Sequence, residues 1–305
     1  MTWEADGVLS LVLVDPEGKP LPDWHPGAHV DLCLPSGVIR QYSLCGDPDD
    51  PTYYRVAVLQ EQSSRGGSDF VHRQVRPGQR LQVRGPRNNF AFHASDRYLF
   101  VAGGIGITPL LPMVAAAARS RAEWRLLYGG RHRASMAFLD ELAGYGGSVV
   151  VSPQDEAGLM DLDGWLARPQ PGVQVYCCGP EPLLAAVENL CRSWPDGTLQ
   201  VERFAPRAGN EYAIESERDF DVVCSQSGAR VKVRPGCSIL ESLRNAGLDL
   251  PSSCEEGICG TCETAVLEGS VDHRDSILSD AERAANDTMM ICVSRAQSPV
   301  LVLDL

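Results

Sequence analysis

Over residues 1 to about 92, apolar and polar positions alternate in short runs separated by Gly and Pro turns: VLSLVLVD from Val8, HVDLCLP from His29, YYRVAVLQ from Tyr53 and RLQVRGP from Arg80. A period of two marks strands buried on one face, and several at this spacing predict an antiparallel barrel or sandwich. From about residue 95 the texture changes. Continuous apolar runs, YLFVAGG, WRLLYGG, SVVVSP and VQVYCCGP, alternate with helical stretches such as PLLPMVAAAARS and LLAAVENLCRSW. Strands separated by helices predict a parallel α/β sheet. After LQVERF the segment APRAGNEYAIESER is polar and without a clear period, which suits an interdomain linker. The remainder opens with a hairpin pattern, DFDVVCSQSGARVKVRPG, and closes with the strand-like MMICVSRA and VLVLDL. Ser238 with Glu241 and Ser279 with Glu282 mark two helix starts by the capping-box pattern. The chain therefore divides into a barrel at 1–94, an α/β domain at 95–205, a linker at 206–218 and a third domain at 219–305.

Composition narrows the setting. A formal net charge of −13 disfavours nucleic acid as a partner. From Asp219 onward there are fourteen Asp/Glu and seven Lys/Arg, so the last domain holds about half of the acidic excess. Such a surface either steers a basic partner or serves solvation alone. No apolar run approaches the ~20 residues that span a bilayer, and no membrane association is expected. The eleven cysteines are an odd number, and the opening MTWEADG has no signal-peptide pattern. Reduced thiols and a cytoplasmic location are the expectation.

Four of those cysteines carry chemistry. Cys254, Cys259 and Cys262 have the spacing C-x4-C-x2-C, and Cys292 follows thirty residues on. This is the plant-type [2Fe-2S] pattern, in which each iron takes two thiolates from the protein and the potential is on the order of −400 mV. The loop SSCEEGICGTCE contains Gly257 and Gly260, which can take the tight conformations that bring backbone N–H groups to sulfur. Structural zinc and a disulfide pair are the alternatives. Zinc sites usually come as two short Cys/His pairs, whereas here the fourth ligand stands alone. Hairpin, helix, cluster loop and closing strands together suit a β-grasp ferredoxin domain.

Two further regions suit cofactors. Arg40-Gln41-Tyr42-Ser43 ends one β-run, and Gly66-Gly67-Ser68 opens the helical pattern SDFVHRQV. A guanidinium fork and a helix N-terminus both suit a flavin phosphate, and a tyrosine ring can lie against an isoalloxazine. Alone, an arginine two residues from a tyrosine is ordinary strand surface. Gly103-Gly104-Ile105-Gly106-Ile107-Thr108-Pro109 joins a strand to a helix, the setting of a phosphate or nicotinamide loop, although it is not G-x-G-x-x-G. Thr108 is placed to cap that helix and Pro109 to occupy its first turn. Cys178-Gly179-Pro180 forms a second strand-to-helix turn, at the edge where open α/β sheets bind ligands. Cys177 beside it reads as a small core residue. A tight connection is the simpler reading of either turn alone.

RQYSLC, RGGSDF, AGGIGITP, YCCGP and LPSSCEEGICGTCE, in this order and across essentially the whole chain, resemble the phthalate dioxygenase reductase and vanillate O-demethylase reductase family. The resemblance implies a flavin barrel, an NAD domain and a C-terminal [2Fe-2S] domain, with electrons passing from NADH to FMN to the cluster. It implies that Arg40 and Ser68, with the Gly66-Gly67 turn, hold the FMN phosphate. Tyr42 would pack on the flavin and Ser43 would lie near its reactive edge. Gly103, Gly104, Gly106 and Thr108, with Cys178 and Gly179, would frame the nicotinamide, and Phe204 in VERF would cover the flavin. Hydride transfer is expected to need no obligatory protein acid or base, so Ser43 and Cys178 enter as positioning groups. FMN over FAD and NADH over NADPH come from the resemblance, since the residues do not exclude FAD and Arg131 and Arg133 could reach a 2′-phosphate. One departure concerns the barrel. The family normally has a further strand before VLSLVLVD, whereas seven residues precede Val8, so an open edge is expected.

No C-x-H followed by C-x-x-H is present, so a Rieske centre is expected on another chain, a separate oxygenase or demethylase. A reductase serving a haem-thiolate monooxygenase would use the same parts. The reading from another class is a non-catalytic iron-sulfur carrier with a degenerate flavin domain, which NADH-dependent reduction of cytochrome c or ferricyanide would separate from an enzyme.

Overall fold

The alternating runs fold into β1 (Thr2–Ala5), β2 (Val8–Leu13), β3 (Ala28–Cys33), β4 (Ile39–Ser43), β5 (Tyr54–Leu59) and β6 (Gln82–Asn88) of a computed structural model describing residues 1–61, 66–207 and 218–305. They form two antiparallel three-stranded sheets, ordered β1-β2-β5 and β4-β3-β6, joined by a bridge between Leu44 and Val56. The period of two holds: Leu9 and Leu11, Val30 and Leu32, and Val56 and Val58 all enter one core, to which α1 (Gly67–Gln74) adds Val71. The further strand expected to be missing before β2 is present as β1, the outer strand of its sheet. β1 pairs along β2, with Thr2 opposite Ser10 and Trp3 opposite Leu9, and Ser10 Oγ donates to Glu4 Oε1 at 2.5 Å.

The second region forms a five-stranded parallel sheet from β7 (Arg97–Gly103), β8 (Glu123–Gly130), β9 (Val149–Pro153), β10 (Val173–Cys178) and β11 (Leu199–Glu202), in the order β11-β10-β7-β8-β9. Its central strands β7 and β10 are buried on both faces, which is why their apolar runs are continuous. Tyr98, Phe100 and Ala102 of β7 pack with α2 (Ile107–Ser120), while Leu99 and Val101 pack with the helix Glu181–Leu190 on the other face. Cys177 joins that second core, fully buried, as its neighbours suggest. The chain leaves β7 towards β8 and β9 and returns on the other side as β10 and β11. A topological switch point therefore lies between β7 and β10, the position at which open α/β sheets bind ligands.

Barrel and parallel sheet belong to one compact unit, Met1–Glu202. Asp6 N–H donates to Ala134 O at 2.8 Å, Arg55 pairs with Glu141 at 3.0 Å while lying over the Phe138 ring, and Arg119 reaches Asp47 at 3.6 Å.

The second unit is Arg203–Leu305. It contains β12 (Phe220–Cys224), β13 (Arg230–Val233), β14 (Glu263–Glu268), β15 (Val271–Asp272), β16 (Thr288–Met290), β17 (Arg295–Ala296) and β18 (Val300–Leu303). The main sheet runs β13-β12-β18-β14-β16, with the expected hairpin β12–β13 and a central parallel pair β12–β18. The helix Ile239–Asn245 buries Ile239, Leu240 and Leu243 in its core, completing a β-grasp. The two helix starts differ. At Ser279 and Glu282 the capping bonds run both ways, whereas Ser238 accepts from Glu241 N–H at 3.0 Å without the return bond. Most of the expected linker, residues 208–217, lies outside the described residues. Among the described residues no helix is long and apolar enough to cross a membrane.

Candidate active site and metal centre

β4 points Arg40 and Tyr42 to the same face, as residues two apart on a strand must. The Arg40 stem crosses the first residue of α1: a Cβ at Gly67 would stand 2.6 Å from Arg40 Cγ and 2.8 Å from Nε. Only glycine leaves room for the Arg40 stem there, beside the start of the helix. Gly66 is the N-cap, and Ser68 Oγ accepts from Glu61 N–H at 3.2 Å, tying α1 to the end of β5. Burial pushes the Tyr42 phenol well above its ordinary value, so it stays neutral. Arg40, Tyr42, Gly66, Gly67 and Ser68 thus form one corner of the barrel, with a cation, a helix N-terminus and an aromatic ring.

At the switch point the two turns touch. A Cβ at Gly103 would stand 2.7 Å from Leu183 Cδ2 and Pro180 Cδ, and one at Gly179 would stand 2.9 Å from Gly103 Cα. One at Gly106 would run into the Cys178 carbonyl. These three glycines serve contact between the turns, while Gly104, with nothing within 4 Å of its Cβ direction, faces open space. Thr108 does not cap. A 3-10 turn at Gly104–Gly106 begins the helical path earlier, so Thr108 is the second residue of α2 and its Oγ1 donates to Ile105 O at 3.0 Å.

The residue that sequence reasoning passed over is Glu202. It ends β11 directly opposite Cys178 of β10, and Ser43 Oγ, from the barrel, donates to its Oε2 at 3.3 Å. Desolvation at this half-buried position raises the Glu202 carboxyl to about 8, which favours its protonated form at neutral pH, and burial raises the Cys178 thiol as well. Three proton-bearing groups therefore meet where strand β4 reaches the sheet. A charged residue closing a strand at the carboxyl edge was the available signal. Phe204, 41 % exposed, belongs to the second unit.

Arg133 is not open to a phosphate. Its Nε and Nη2 reach the two Glu156 oxygens at 2.9 and 2.7 Å, while His132 Nδ1 lies 3.1 Å from Asp155. Arg131 is exposed, and its carbonyl accepts from Asp155 N–H.

In the second unit the four thiols stand in two pairs, Cys254 hydrogen-bonded with Cys259 and Cys262 with Cys292. In each pair the partner's hydrogen bond draws one thiol, Cys259 or Cys262, below its ordinary value. Among the described residues no three His, Cys, Asp or Glu side chains converge as on a single ion. Two pairs are instead the donor set of a dinuclear centre, with two thiolates for each iron. Cys259, Cys262 and Cys292 are buried and Cys254 is half-buried. The loop is held by Gly257, φ +70, where a Cβ would stand 2.6 Å from Val293 Cγ2, and Glu256 N–H donates to Cys254 Sγ at 3.3 Å. The residues fit a [2Fe-2S] cluster.

Residues 222–297 match the family model described as a 2Fe-2S iron-sulfur cluster binding domain. The chain is 43 % identical to phenoxybenzoate dioxygenase subunit beta of Ectopseudomonas oleovorans, over 100 % of its own length and 95 % of that relative. Among solved structures it is similar to phthalate dioxygenase reductase, with 36 % identity and a TM-score of 0.72 over 99 % of this chain and 95 % of that one. It is also similar to an intact type IV self-sufficient cytochrome P450 monooxygenase, with 48 % identity and a TM-score of 0.92. All of this chain is covered there, but it spans only 40 % of the monooxygenase chain.

Proposed function

Because the chain belongs to the phthalate dioxygenase reductase family of oxygenase reductases, we propose that it takes electrons from NADH through FMN and a [2Fe-2S] cluster to a separate, Rieske-type oxygenase or demethylase. The observation that carries this reading is the Ser43–Glu202 hydrogen bond. It brings the end of the barrel strand bearing Arg40 and Tyr42 to the switch point of the parallel sheet, which supports flavin and nicotinamide sites that share one edge. When bound, NADH supplies a hydride, the flavin takes two electrons and releases them singly, and the cluster carries one at a time.

The protein's own residues place and tune these groups. Arg40 and the start of α1 hold a terminal phosphate, which supports FMN, with Ser68 fixing the helix and Tyr42 packing on the ring. Ser43 and Cys178 position the reacting edge, and Glu202 favours its protonated form there at neutral pH. Gly104 is the glycine of its turn open to the dinucleotide, while Gly103, Gly106 and Gly179 hold the two turns together and Thr108 secures the helix behind them. Cys254 with Cys259, and Cys262 with Cys292, would each hold one iron.

Glu156 and Asp155 support NADH over NADPH, since they hold Arg133 and His132 of the loop after β8 and add negative charge that repels a 2′-phosphate. Glu156→Ala is expected to release Arg133 and raise kcat/KM for NADPH relative to NADH several-fold. An unchanged ratio would place the 2′ site elsewhere.

The function is tested by cofactor extraction and turnover. Iron and acid-labile sulfide near about two per chain, one FMN, and NADH-dependent reduction of cytochrome c are expected. Zinc without sulfide, or no turnover with FMN supplied, would overturn the reading. The likeness to the self-sufficient monooxygenase favours a second destination, a haem-thiolate monooxygenase. Parallel reconstitution with a Rieske-type oxygenase and a cytochrome P450 domain distinguishes the two.

A further inference from the structure

Against the ligand loop at Gly257, and outside every role assigned above, lies the buried Asp275 with the half-buried Arg283 and His273 beside it. Asp275 is 1 % exposed. Arg283 approaches its Oδ1 at 3.6 Å and donates from Nη2 to its main-chain carbonyl at 2.6 Å. The same Oδ1 accepts from the N–H groups of Ile277 at 3.1 Å and Leu278 at 2.8 Å. Asp275 Oδ2 and both ring nitrogens of His273 have no hydrogen-bond partner among the described residues, although Nδ1 lies 3.8 Å from Oδ2. Burial holds the His273 imidazole below its ordinary value, so it faces Asp275 uncharged at neutral pH.

The trio meets the ligand loop at Gly257. Ser276 N–H donates to Gly257 O at 2.8 Å, and a Cβ on Gly257 would stand 2.9 Å from Asp275 Cα. Capping Ile277 and Leu278 requires only an accepting oxygen, which an amide would supply equally well. Burying a carboxylate costs more than burying a neutral amide of the same shape. Folding therefore does not account for a charge at this place, whereas the potential of an iron-sulfur centre responds to charges and hydrogen bonds around it.

We propose that Asp275 is a positioning residue of the iron-sulfur centre: it seats Gly257 of the ligand loop, and its buried negative charge, set against Arg283, lowers the reduction potential of the cluster. One electron enters from the flavin and leaves to the partner, and the trio changes only the level at which it rests. The inference depends on Cys254, Cys259, Cys262 and Cys292 being the ligands.

Potentiometric titration of the holoprotein, followed by electron paramagnetic resonance, tests it. Asp275→Asn keeps shape and accepting oxygen and is expected to raise the potential by about 59 mV, a tenfold change in a one-electron equilibrium. Arg283→Gln leaves the carboxylate uncompensated and should lower the potential, while Arg283→Lys should hold it near the wild-type value. A loosened loop would move both neutral variants in the same direction. Shifts of the same sign, or a wild-type potential in Asp275→Asn, would overturn the proposal. If Asp275→Asn does not load iron, Arg283→Gln decides: a potential at or above wild type sinks the idea. A wild-type protein without any cluster signal would instead fault the ligand assignment.

Discussion

Replacing Cys292 by Ser is expected to leave NADH-to-ferricyanide turnover at the wild-type level and to abolish reduction of cytochrome c and of an oxygenase partner. Cys292 pairs with Cys262, and in the proposed ligand set this pair supplies both protein ligands of one iron. A serine hydroxyl is a far poorer anionic ligand than a thiolate, so the centre loses one of its two metal sites. The other activity is insulated from that loss. Arg40, Ser43, Cys178 and Glu202 all lie in Met1–Glu202, whereas the four cysteines lie in Arg203–Leu305. Ferricyanide accepts electrons from the flavin directly, so its reduction reports the first unit alone. Equal survival of both activities would refute the proposed order of electron flow.

Arg40→Ala should act on both activities together. A charge-assisted hydrogen bond to phosphate contributes about 1.5–3 kcal/mol, so flavin retention is expected to weaken by roughly 10- to 100-fold. The stem of Arg40 lies on Gly67, and the helix start remains when the guanidinium is removed. Some affinity therefore persists. Excess FMN should restore ferricyanide and cytochrome c reduction in parallel, with the iron and sulfide content unchanged. If the variant kept its flavin through dilution and gel filtration, Arg40 would be a surface residue and the phosphate corner would lie elsewhere.

Those two results fall on residues that could be found without coordinates, and the reason is physical. The ligand loop places three of its four thiols within nine consecutive residues, Cys254 to Cys262, so their spacing is written along the chain. The apolar periods of the barrel and the parallel sheet are equally local. Glu202 is different. Its partner Ser43 is 159 positions away, and its burial arises only when β11 settles beside β10 with Glu202 opposite Cys178. Asp275 is hidden for the same reason, since its role depends on Gly257 folding back across it. Strand β1 escapes a pattern search because TWEA pairs at the sheet margin with Trp3 64 % exposed, leaving no alternation to read. The glycines at 103, 106 and 179 announced a need for small residues. That the need is contact between two turns, rather than room for a ligand, follows only from their spatial neighbours.

The division of the chain at Glu202 carries a consequence for how such a molecule can change. Everything that sets the geometry of hydride delivery, from the Arg55–Glu141 pair to the Ser43–Glu202 bond, is completed within one folding unit. The groups that set where single electrons rest, the thiol pairs and the Asp275–Arg283 couple, are completed within the other. Fuel choice and output voltage are thus separate inheritances, and substitutions that retune the second for a new acceptor need not disturb the first.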